Sequence, residues 1–396
     1  MTESNGTGAE KSERRDVHTL TGGELREMLA GLGQPAFRAK QIEEWVWSKN
    51  ARSFDEMTNL PKALREMLSE RLVMGAAEEV ARQASTDGSR KYLLRLADGV
   101  TVECVGMPSR GRLAVCASTQ AGCAMGCAFC ATGRSGLARS LTDAEIYEQV
   151  MHVRDDFGER VTSVVLMGQG EPFMNYDATL AALRRLNSPE GAGIGARHLT
   201  VSTCGVIPQI MRFANEPEQF TLAVSLHSAV QKTRNALMPG VRKYSLVNLY
   251  DAMGTYVSKT GRRPTYEYAL IGGVNDTDSE LQALCDFCEG TLAHVNLIQL
   301  NEVEGSKFHP STEARGRLCP RSRPRWRRGH GTRVARRRHR RRLRPAQAAR
   351  GARPLLLVPR YEHTFANIRA PPTFPRFAGG WEGSLCRCSA SLRACR

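Results

Sequence analysis

The stretch that decides the fold lies at residues 113–130 and reads LAVCASTQAGCAMGCAFC. Its first part, Leu113–Ser118, is apolar or small throughout, which predicts a buried strand. The glycines that follow place Cys123, Cys127 and Cys130 on a loop directly after this strand. Three thiolates within eight residues can hold one corner of a compact inorganic cluster. The sequence therefore predicts a metal site at the carboxyl end of a strand.

Strand and helix patterns alternate from about residue 111 to residue 300. Apolar runs predict six strands, which are Leu113–Ser118, Val161–Met167, His198–Ser202, Phe220–Leu226, Thr265–Ile271 and Val295–Leu300. Helical periodicity predicts helices near 142–157, 177–186, 206–214, 230–237, 245–259 and 278–289. This alternation predicts an α/β fold, either an open doubly wound sheet or a partial (β/α)6 barrel. Both folds bind ligands at the carboxyl ends of their strands.

The N-terminal part of the chain has a different pattern. Residues 1–18 are polar and aperiodic, which predicts a disordered N-terminus. Residues 19–85 are predicted to form a helical domain. A capping box at Thr21 and Glu24 starts its first helix, and Pro61 marks the start of a later one.

A hairpin is predicted between this helical domain and the strand–helix repeats. Its strands, Arg90–Leu96 and Val100–Met107, are joined at Asp98 and Gly99. We therefore expect residues 86–312 to form one domain that contains the hairpin and the repeats.

The charge of the chain is concentrated at one end. Of its 396 residues, 56 are Lys or Arg and 40 are Asp or Glu, which gives a net charge of +16. Residues 313–396 hold 23 Arg, no Lys and three acidic residues, so they carry +20 and the rest of the chain carries −4. A basic balance usually indicates nucleic-acid binding, but here it says nothing about residues 1–312.

Other features of composition exclude whole classes of protein. No run of about 18 apolar residues exists, which excludes a membrane span. The start of the chain has no basic segment followed by an apolar one, so we expect no secretory signal and a cytoplasmic protein. In that compartment, twelve cysteines indicate metal binding or catalysis before disulfides.

The three clustered cysteines favour one metal site over others. Zinc sites usually add a fourth Cys or His at short spacing, and no such pair stands nearby in the sequence. A chance cluster of cysteines is the other alternative. Three cysteines instead leave one iron of a 4Fe-4S cluster open to a substrate.

At this point the chain resembles the radical S-adenosylmethionine (SAM) enzymes and, more narrowly, the RlmN/Cfr family of radical SAM RNA methyltransferases. The resemblance covers residues 19–312. The stretches that carry it, besides the cysteine motif, are Phe37–Ile42 with Trp45, Gln120–Cys123, Met167–Pro172, Ser202–Gly205, Ser225–His227 and Asn301.

The resemblance implies a partial (β/α)6 radical-SAM barrel with an N-terminal helical domain that contacts RNA. The implied reaction is methylation of C2 of an adenosine in 23S rRNA and also in tRNA, and C8 is the alternative carbon. The implied cofactors are one 4Fe-4S cluster per chain and SAM. The implied electron donor is flavodoxin-like or another one-electron protein, and we expect a monomer without a membrane partner.

The resemblance also assigns roles to single residues. Cys123, Cys127 and Cys130 are the implied cluster ligands, and Glu171 is expected to accept from the SAM ammonium. The residues expected to bind SAM with it are Gly170, Ser202, Ser225, Leu226, His227 and Asn301.

Two further roles are assigned upstream of the cluster. Glu103 matches the base that removes the C2 proton, and Cys116 matches a resolving thiol that attacks a methylene thioether. Without the resemblance, Glu103 is a polar strand residue and Cys116 a buried strand cysteine. In the implied mechanism one SAM methylates a C-terminal cysteine. A second SAM is then cleaved to a radical that activates the new methyl group.

The chain departs from the family at its C-terminal end, where the Cys-Gly-Gln-Leu segment with the methyl-carrying cysteine is absent. A one-base shift of permitted codons across Arg338–Ala346 spells Asp-Ile-Asp-Ala-Ala-Cys-Gly-Gln-Leu. We therefore predict a frameshift between 313 and 331, in the gene or in its sequencing. A genuine Arg-rich RNA-binding arm is the alternative for the tail. A catalytically dead SAM- or RNA-binding protein is the alternative function. Gln299 and Glu302 are a smaller departure, because prolines are expected there.

Overall fold

A computed structural model of the chain describes residues 14–74, 77–301 and 305–311. The predictions for residues 1–13 and for the Arg-rich tail at 313–396 lie outside the described residues. No helix in the described ranges is long and apolar enough to cross a membrane.

Strands and helices follow one another along the whole described chain. The strands are β1 (Arg15–Asp16), β2 (Leu72–Val73), β3 (Glu78–Ala84), β4 (Arg90–Arg95), β5 (Thr101–Ser109), β6 (Arg112–Cys116), β7 (Gln120–Gly122), β8 (Leu137–Ser140), β9 (Val161–Leu166), β10 (Leu199–Thr203), β11 (Thr221–Ser225), β12 (Thr265–Leu270) and β13 (His294–Gln299). The α-helices are α1 (Gly22–Gly31), α2 (Phe37–Glu43), α3 (Lys62–Arg71), α4 (Ala131–Arg134), α5 (Asp143–Phe157), α6 (Tyr176–Asn187), α7 (Ile207–Phe213), α8 (Gln231–Leu237), α9 (Leu246–Thr260) and α10 (Asp278–Cys288).

The chain divides into two compact units. The first unit holds the chain up to Cys123 together with 137–201. The second holds 124–136 together with the chain from Ser202 onward, so the chain passes from one unit to the other within β10.

The first unit begins with the predicted helices. Thr21 and Glu24 form the expected capping box, because each side chain accepts a hydrogen bond from the backbone N–H of the other. Leu25 and Leu29 are the buried face of α1, and α3 begins directly after Pro61. The local signals in the sequence are therefore confirmed.

The predicted disorder is wrong for the residues just before these helices. β1 pairs in parallel with β2, so Arg15 and Asp16 are held by the end of α3. Val17 is buried, and the side chain of Asp16 accepts a hydrogen bond from the backbone N–H of His18. One apolar anchor and one cap are enough to order this short stretch.

The helical segment packs against α5 within the same unit. The hydroxyl of Tyr147 donates to the backbone carbonyl of Trp47, and Arg52 forms an ion pair of 2.7 Å with Glu148. Arg185 lies 3.3 Å from the centre of the Trp47 ring. The helical segment is thus part of the first unit.

The sheet of the first unit has the order β3-β4-β5-β6-β9-β10. The predicted hairpin is confirmed by antiparallel β4 and β5, which are joined across Gly99 at a φ of 84°. β3 pairs antiparallel with β4, so residues 78–84 are a strand and do not extend the predicted helical domain to residue 85. β6, β9 and β10 then run parallel.

The second unit continues the strand–helix alternation. β11, β12 and β13 run parallel, with α7, α8, α9 and α10 in the connecting segments. Leu222, Ala223 and Val224 of β11 have no exposed surface, so this strand lies in the core of the unit. All six predicted strand–helix repeats are therefore confirmed, with three parallel strands in each unit, and the class is α/β.

Candidate functional site

The cysteine loop is held by backbone hydrogen bonds in the second unit. Ala128 N–H donates to the carbonyl of Leu237 at 2.9 Å, and Gly240 N–H donates to the carbonyl of Met125 at 3.0 Å. Gly240 has no room for a side chain, because a Cβ there would lie 2.7 Å from the Met125 carbonyl oxygen. The end of α8 and the turn after it therefore fix the loop.

The thiol of Cys130 lies at the start of α4. Burial raises its pKa, while hydrogen bonds from the backbone of Gly133, and from the backbone and hydroxyl of Thr132, act in the opposite direction and favour the thiolate. A Cβ at Gly133 would lie 2.9 Å from the backbone nitrogen of Cys127, so only glycine allows this close approach. Hydrogen bonds to cysteine sulfur are among the features that tune iron–sulfur clusters in proteins.

Cys123, Cys127 and Cys130 are all half-buried. Within the described ranges, no group of three or more His, Cys, Asp or Glu side chains is placed to hold a single metal ion. The predicted alternative of a closed zinc site therefore has no support here. The thiolates of a 4Fe-4S cluster bind separate irons and stand farther apart than the ligands of one ion. Three cysteines on one loop, with N–H groups near the sulfur of Cys130, have the donor types that such a cluster requires.

His227 follows β11 and is brought to the cysteine loop. Its ring lies edge to face with Phe129, which stands between two of the cysteines, at 4.8 Å between ring centres. Its Nδ1 accepts a hydrogen bond from Ala269 N–H at 3.0 Å, so the proton of the neutral ring lies on Nε2. Burial lowers the pKa of His227 to about 3, which keeps the ring neutral at physiological pH.

The backbone of His227 is also constrained. Its φ is 54°, in the left-handed region, and its carbonyl accepts a hydrogen bond from Asn275 Nδ2 at 2.6 Å. The backbone N–H groups of Leu226 and His227 both donate to the carbonyl of Glu267. The predicted SAM residues Ser225, Leu226 and His227 thus form one continuous, tightly held corner at the carboxyl end of β11.

The remaining predicted SAM residues of the second unit also lie at strand ends. Ser202 is half-buried near the end of β10, and Asn301 is half-buried two residues after the end of β13. The pattern agrees with the expectation that ligands bind at the carboxyl ends of parallel strands.

In the first unit, Gly170 and Glu171 follow β9. Gly170 has a φ of 101°, and a Cβ there would lie 2.6 Å from the Cβ of Gln120. Glu171 is buried, its N–H donates to Gln120 Oε1 at 2.9 Å, and its carboxylate accepts from Phe173 N–H at 3.0 Å. The sequence predicted that Gly170 lets the backbone approach a ligand. The structure shows that the absence of a side chain at Gly170 lets the loop pack on Gln120.

Glu103 and Cys116 lie on neighbouring strands of the first unit. Glu103 Oε1 forms an ion pair of 2.5 Å with Nζ of Lys91, which is buried. Burial, together with the charge of Glu103, raises the pKa of Cys116 to about 12, so its thiol is protonated at neutral pH. The two residues are close enough for the charge of Glu103 to act on the Cys116 thiol.

Sequence reasoning missed three buried charged residues: Lys91 beside Glu103, and Arg234 and Glu267 in the second unit. Lys91 is a diagonal cross-strand neighbour of Glu103, because their partners in the β4–β5 register are Val105 and Leu93. The hairpin register was therefore a usable signal. Arg234 and Glu267 gave no such signal, because nothing local in the sequence marks a charged residue as buried.

One cavity lies away from this site. It has a volume of about 600 Å³, belongs to the first unit, and is lined by residues that include Ser48, Arg154 and Arg160. None of the predicted site residues lines it.

Comparison with known proteins identifies relatives of both parts of the chain. The model of the ribosomal RNA large subunit methyltransferase N-terminal domain matches residues 16–74, and that of the radical SAM superfamily matches residues 117–288. The second match confirms the predicted radical-SAM barrel.

Curated relatives and a solved structure agree with these matches. A protein of Pelotomaculum thermopropionicum, named probable dual-specificity RNA methyltransferase RlmN, is 48% identical over 293 residues, which are 74% of this chain and 80% of that protein. A relative of the same name from Clostridium perfringens is 43% identical over 300 residues, which are 76% of this chain and 86% of that protein. The crystal structure of a radical SAM methyltransferase from Sphaerobacter thermophilus is 44% identical with a TM-score of 0.73, and the match covers 77% of this chain and 91% of that one.

Proposed function

Because the chain belongs to the RlmN family of radical SAM RNA methyltransferases, we propose that it transfers a methyl group to C2 of an adenosine in 23S rRNA and in tRNA. One observation carries the proposal. The cysteine loop packs through Phe129 on His227, so the predicted cluster ligands and a predicted SAM residue meet at the carboxyl end of a strand.

The cofactors of this site are one 4Fe-4S cluster and SAM. Cys123, Cys127 and Cys130 hold the cluster, and the N–H groups around the Cys130 sulfur favour its thiolate form. When bound, the cluster supplies one electron to SAM, and a flavodoxin-like protein is the proposed donor of that electron. The loop needs little rearrangement for this because backbone bonds already fix it.

The SAM-binding residues contribute different chemistry. Glu171 is buried and offers a carboxylate to the ammonium group. His227 offers Nε2–H as a neutral donor, because Ala269 occupies its other nitrogen. The remaining contacts come from Gly170, Ser202, Ser225, Leu226 and Asn301, which lie on the loops after the strands.

Glu103 and Cys116 complete the reaction after the methyl group has been attached to the base. Glu103 removes the proton from C2, and the ion pair with Lys91 holds its carboxylate in place. The Cys116 thiol then loses its proton and attacks the sulfur of the methylene thioether, so that a disulfide forms with the methyl-carrying cysteine. The carbon–sulfur bond breaks toward the adenine, and the methylene carbon takes up a proton to become the methyl group. The raised pKa of Cys116 keeps the thiol protonated until that step.

RNA is bound in part by the N-terminal helical segment. Phe37 is 58% exposed, and Arg38 lies 4.9 Å from the centre of its ring. Trp45 lies on the π-helical stretch Glu44–Ser48 that follows α2, and Lys49 lies 4.0 Å from the centre of its ring. Aromatic rings flanked by cations are suited to stack on unpaired bases and to contact phosphates.

The methyl-carrying cysteine has no counterpart in the sequence as it stands. This observation favours a second candidate function, a chain that binds the cluster, SAM and RNA without completing the reaction. Under our proposal the in-frame gene encodes the missing Cys-Gly-Gln-Leu segment. The nucleotide sequence across codons 305–350 decides this point. A one-base shift that yields Cys-Gly-Gln-Leu supports the frameshift, and the frameshift is wrong if no such shift yields it.

Mass spectrometry of nucleosides tests the function. Ribosomal and transfer RNA are digested from cells that lack the gene, carry it as sequenced, or carry it with the frame restored between codons 313 and 331. The proposal expects 2-methyladenosine in both RNAs from the frame-restored strain. If 8-methyladenosine is found instead, the methyl group is transferred to C8. If no methylated adenosine is found, the chain binds the cluster, SAM and RNA without completing the reaction.

A further inference from the structure

Arg234 is a buried cation with no carboxylate partner. It lies on α8 and is 1% exposed. Its Nη2 donates to the carbonyls of Cys204 at 2.7 Å and Ser225 at 3.4 Å. Its Nε is buried and has no hydrogen-bond partner, and no ion pair joins it to an Asp or Glu among the residues that the structure describes.

Such an arrangement is costly for the protein alone. Arginine keeps its proton in proteins, and burying an unpaired charge costs several kcal/mol. The two carbonyl dipoles offset only part of this cost. An additional negative group close to the guanidinium is therefore expected in the loaded enzyme.

The surroundings of Arg234 indicate which group this is. The ionisable groups near enough to raise the pKa of Arg234 are the sulfurs of Cys204 and, less strongly, Cys127, and Cys127 is a predicted cluster ligand. α8 also ends at Leu237, whose carbonyl holds the cysteine loop through Ala128. The helix that carries the cation is thus the helix that fixes the loop.

Resting on the cluster assigned above, we propose that Arg234 is the buried counter-cation of the 4Fe-4S cluster and raises its reduction potential. A cluster held by three thiolates is negatively charged, and it takes up one further negative charge when an electron is added. A fixed positive charge in a medium of low dielectric constant stabilises the reduced form more than the oxidised form. Arg234 thereby makes the first electron transfer easier.

The test is an anaerobic potentiometric titration of the reconstituted full chain, with dithionite as reductant and the reduced cluster followed by electron paramagnetic resonance. It compares the wild type with R234Q, with R234K, and with R242Q as a matched control at an exposed arginine after the same helix. All samples are first titrated without SAM.

We expect R234Q to move the potential to a more negative value, by enough to reduce the ratio of reduced to oxidised cluster about tenfold at a fixed potential. R234K and R242Q should titrate like the wild type. An unchanged potential in R234Q with full iron content overturns the proposal. A shift that appears only when SAM is present also overturns it, because the partner is then the SAM carboxylate.

R234Q could instead fail to take up iron. If its apoprotein melts at the wild-type temperature and R234K still binds the cluster, the requirement for a cation is confirmed. If both apoproteins melt at a lower temperature and bind no iron, Arg234 only ties the ends of β10 and β11 together, and the proposal is wrong. The variant C127A distinguishes this result from a wrong cluster assignment. If C127A retains its iron, the cysteine loop does not bind the cluster, and the assignment on which the proposal rests is wrong.

Discussion

The two units of the molecule hold several of their buried charged side chains differently. In the first unit, two of the ion pairs bring a buried charged side chain together with an opposite charge. Lys91 lies 2.5 Å from Glu103, and Arg52 lies 2.7 Å from Glu148. In each pair the partner compensates much of the cost of desolvation.

In the described part of the second unit, three buried charged side chains have neutral hydrogen-bond partners. Arg234 donates to carbonyls, and Glu267 accepts a hydrogen bond from the side-chain amide of Asn296. Glu280 accepts from the hydroxyls of Ser228 and Thr233. Neutral partners offset less of the cost of desolvation than an opposite charge does.

The largest expected effect is that of C127A. Removing one of three thiolate ligands should reduce the bound iron and sulfide of the anaerobically reconstituted chain to background, because three protein ligands are the minimum for this type of cluster. Iron and sulfide analysis measures it.

The matched control is C285A, an exposed cysteine of the same unit, which should retain all its iron. If C127A also retains its iron, the cysteine loop of the second unit binds no cluster. The buried charge of Arg234 in that unit then has no cluster to compensate it.

The next effect concerns Glu267. Burial raises its pKa to about 7 from an ordinary value of 4.5. Below pH 4.5 the folded and unfolded chains are both protonated. As the pH rises from 4.5 to 7 the unfolded chain loses the proton first, so stability falls and the loss is complete above 7. At pH 8, E267Q should therefore be more stable than the wild type by about 3 kcal/mol, and at pH 4.5 the two should be equal.

Urea unfolding at the two pH values measures this difference. E289Q, at an exposed position just after α10, should follow the wild type at both. If the free energy of unfolding of the wild type does not fall relative to that of E267Q between pH 4.5 and pH 8, a cation compensates the charge of Glu267 in the second unit.

A smaller effect is expected at the ion pair of the first unit. K91M leaves Glu103 without its cation, and we expect a loss of about 2 kcal/mol, below the range for a fully buried pair because Glu103 is 23% exposed. In the frame-restored enzyme, kcat should fall about a hundredfold, since Glu103 is no longer held in place.

The double variant K91M with E103Q provides the control. It should recover most of the stability and none of the activity, because it removes both charges and also the base. Equal stability of K91M and the wild type would show that the first unit does not depend on pairing.

The outcome at single residues shows why the sequence predicted some features and missed others. The strands, the helices and the cysteine loop follow from local patterns such as Thr21 with Glu24, or Cys127 with Cys130, and they are confirmed. Disorder at Arg15 was wrong because its order depends on pairing with Leu72, which is distant in the sequence.

Buried charge is decided by the same kind of distant contact. Arg234 and Glu267 stand on ordinary helix and strand patterns, and only the fold removes them from water. Gly170 was recognised as necessary, but its nearest neighbour, Gln120, comes from another strand end. Residue types at a site can thus be predicted from sequence, whereas the distant partners of Arg234, Glu267 and Gly170 follow only from the fold.

The smallest effect tests how the second unit supports a carboxylate without a cation. Glu280 lies in the first turn of α10, where the helix N-terminus favours negative charge, and Thr233 Oγ1 donates to it at 2.6 Å. T233V removes that donor at nearly constant volume and should cost about 1.5 kcal/mol in the free energy of unfolding at pH 7, because the hydrogen bond serves a charged acceptor. In an E280Q background the same change should cost about 0.5 kcal/mol, because the acceptor is then neutral. Equal costs in the two backgrounds, measured by urea unfolding, would mean that Glu280 is not charged in the folded chain, and the contrast between the units would then rest on Arg234 and Glu267 alone.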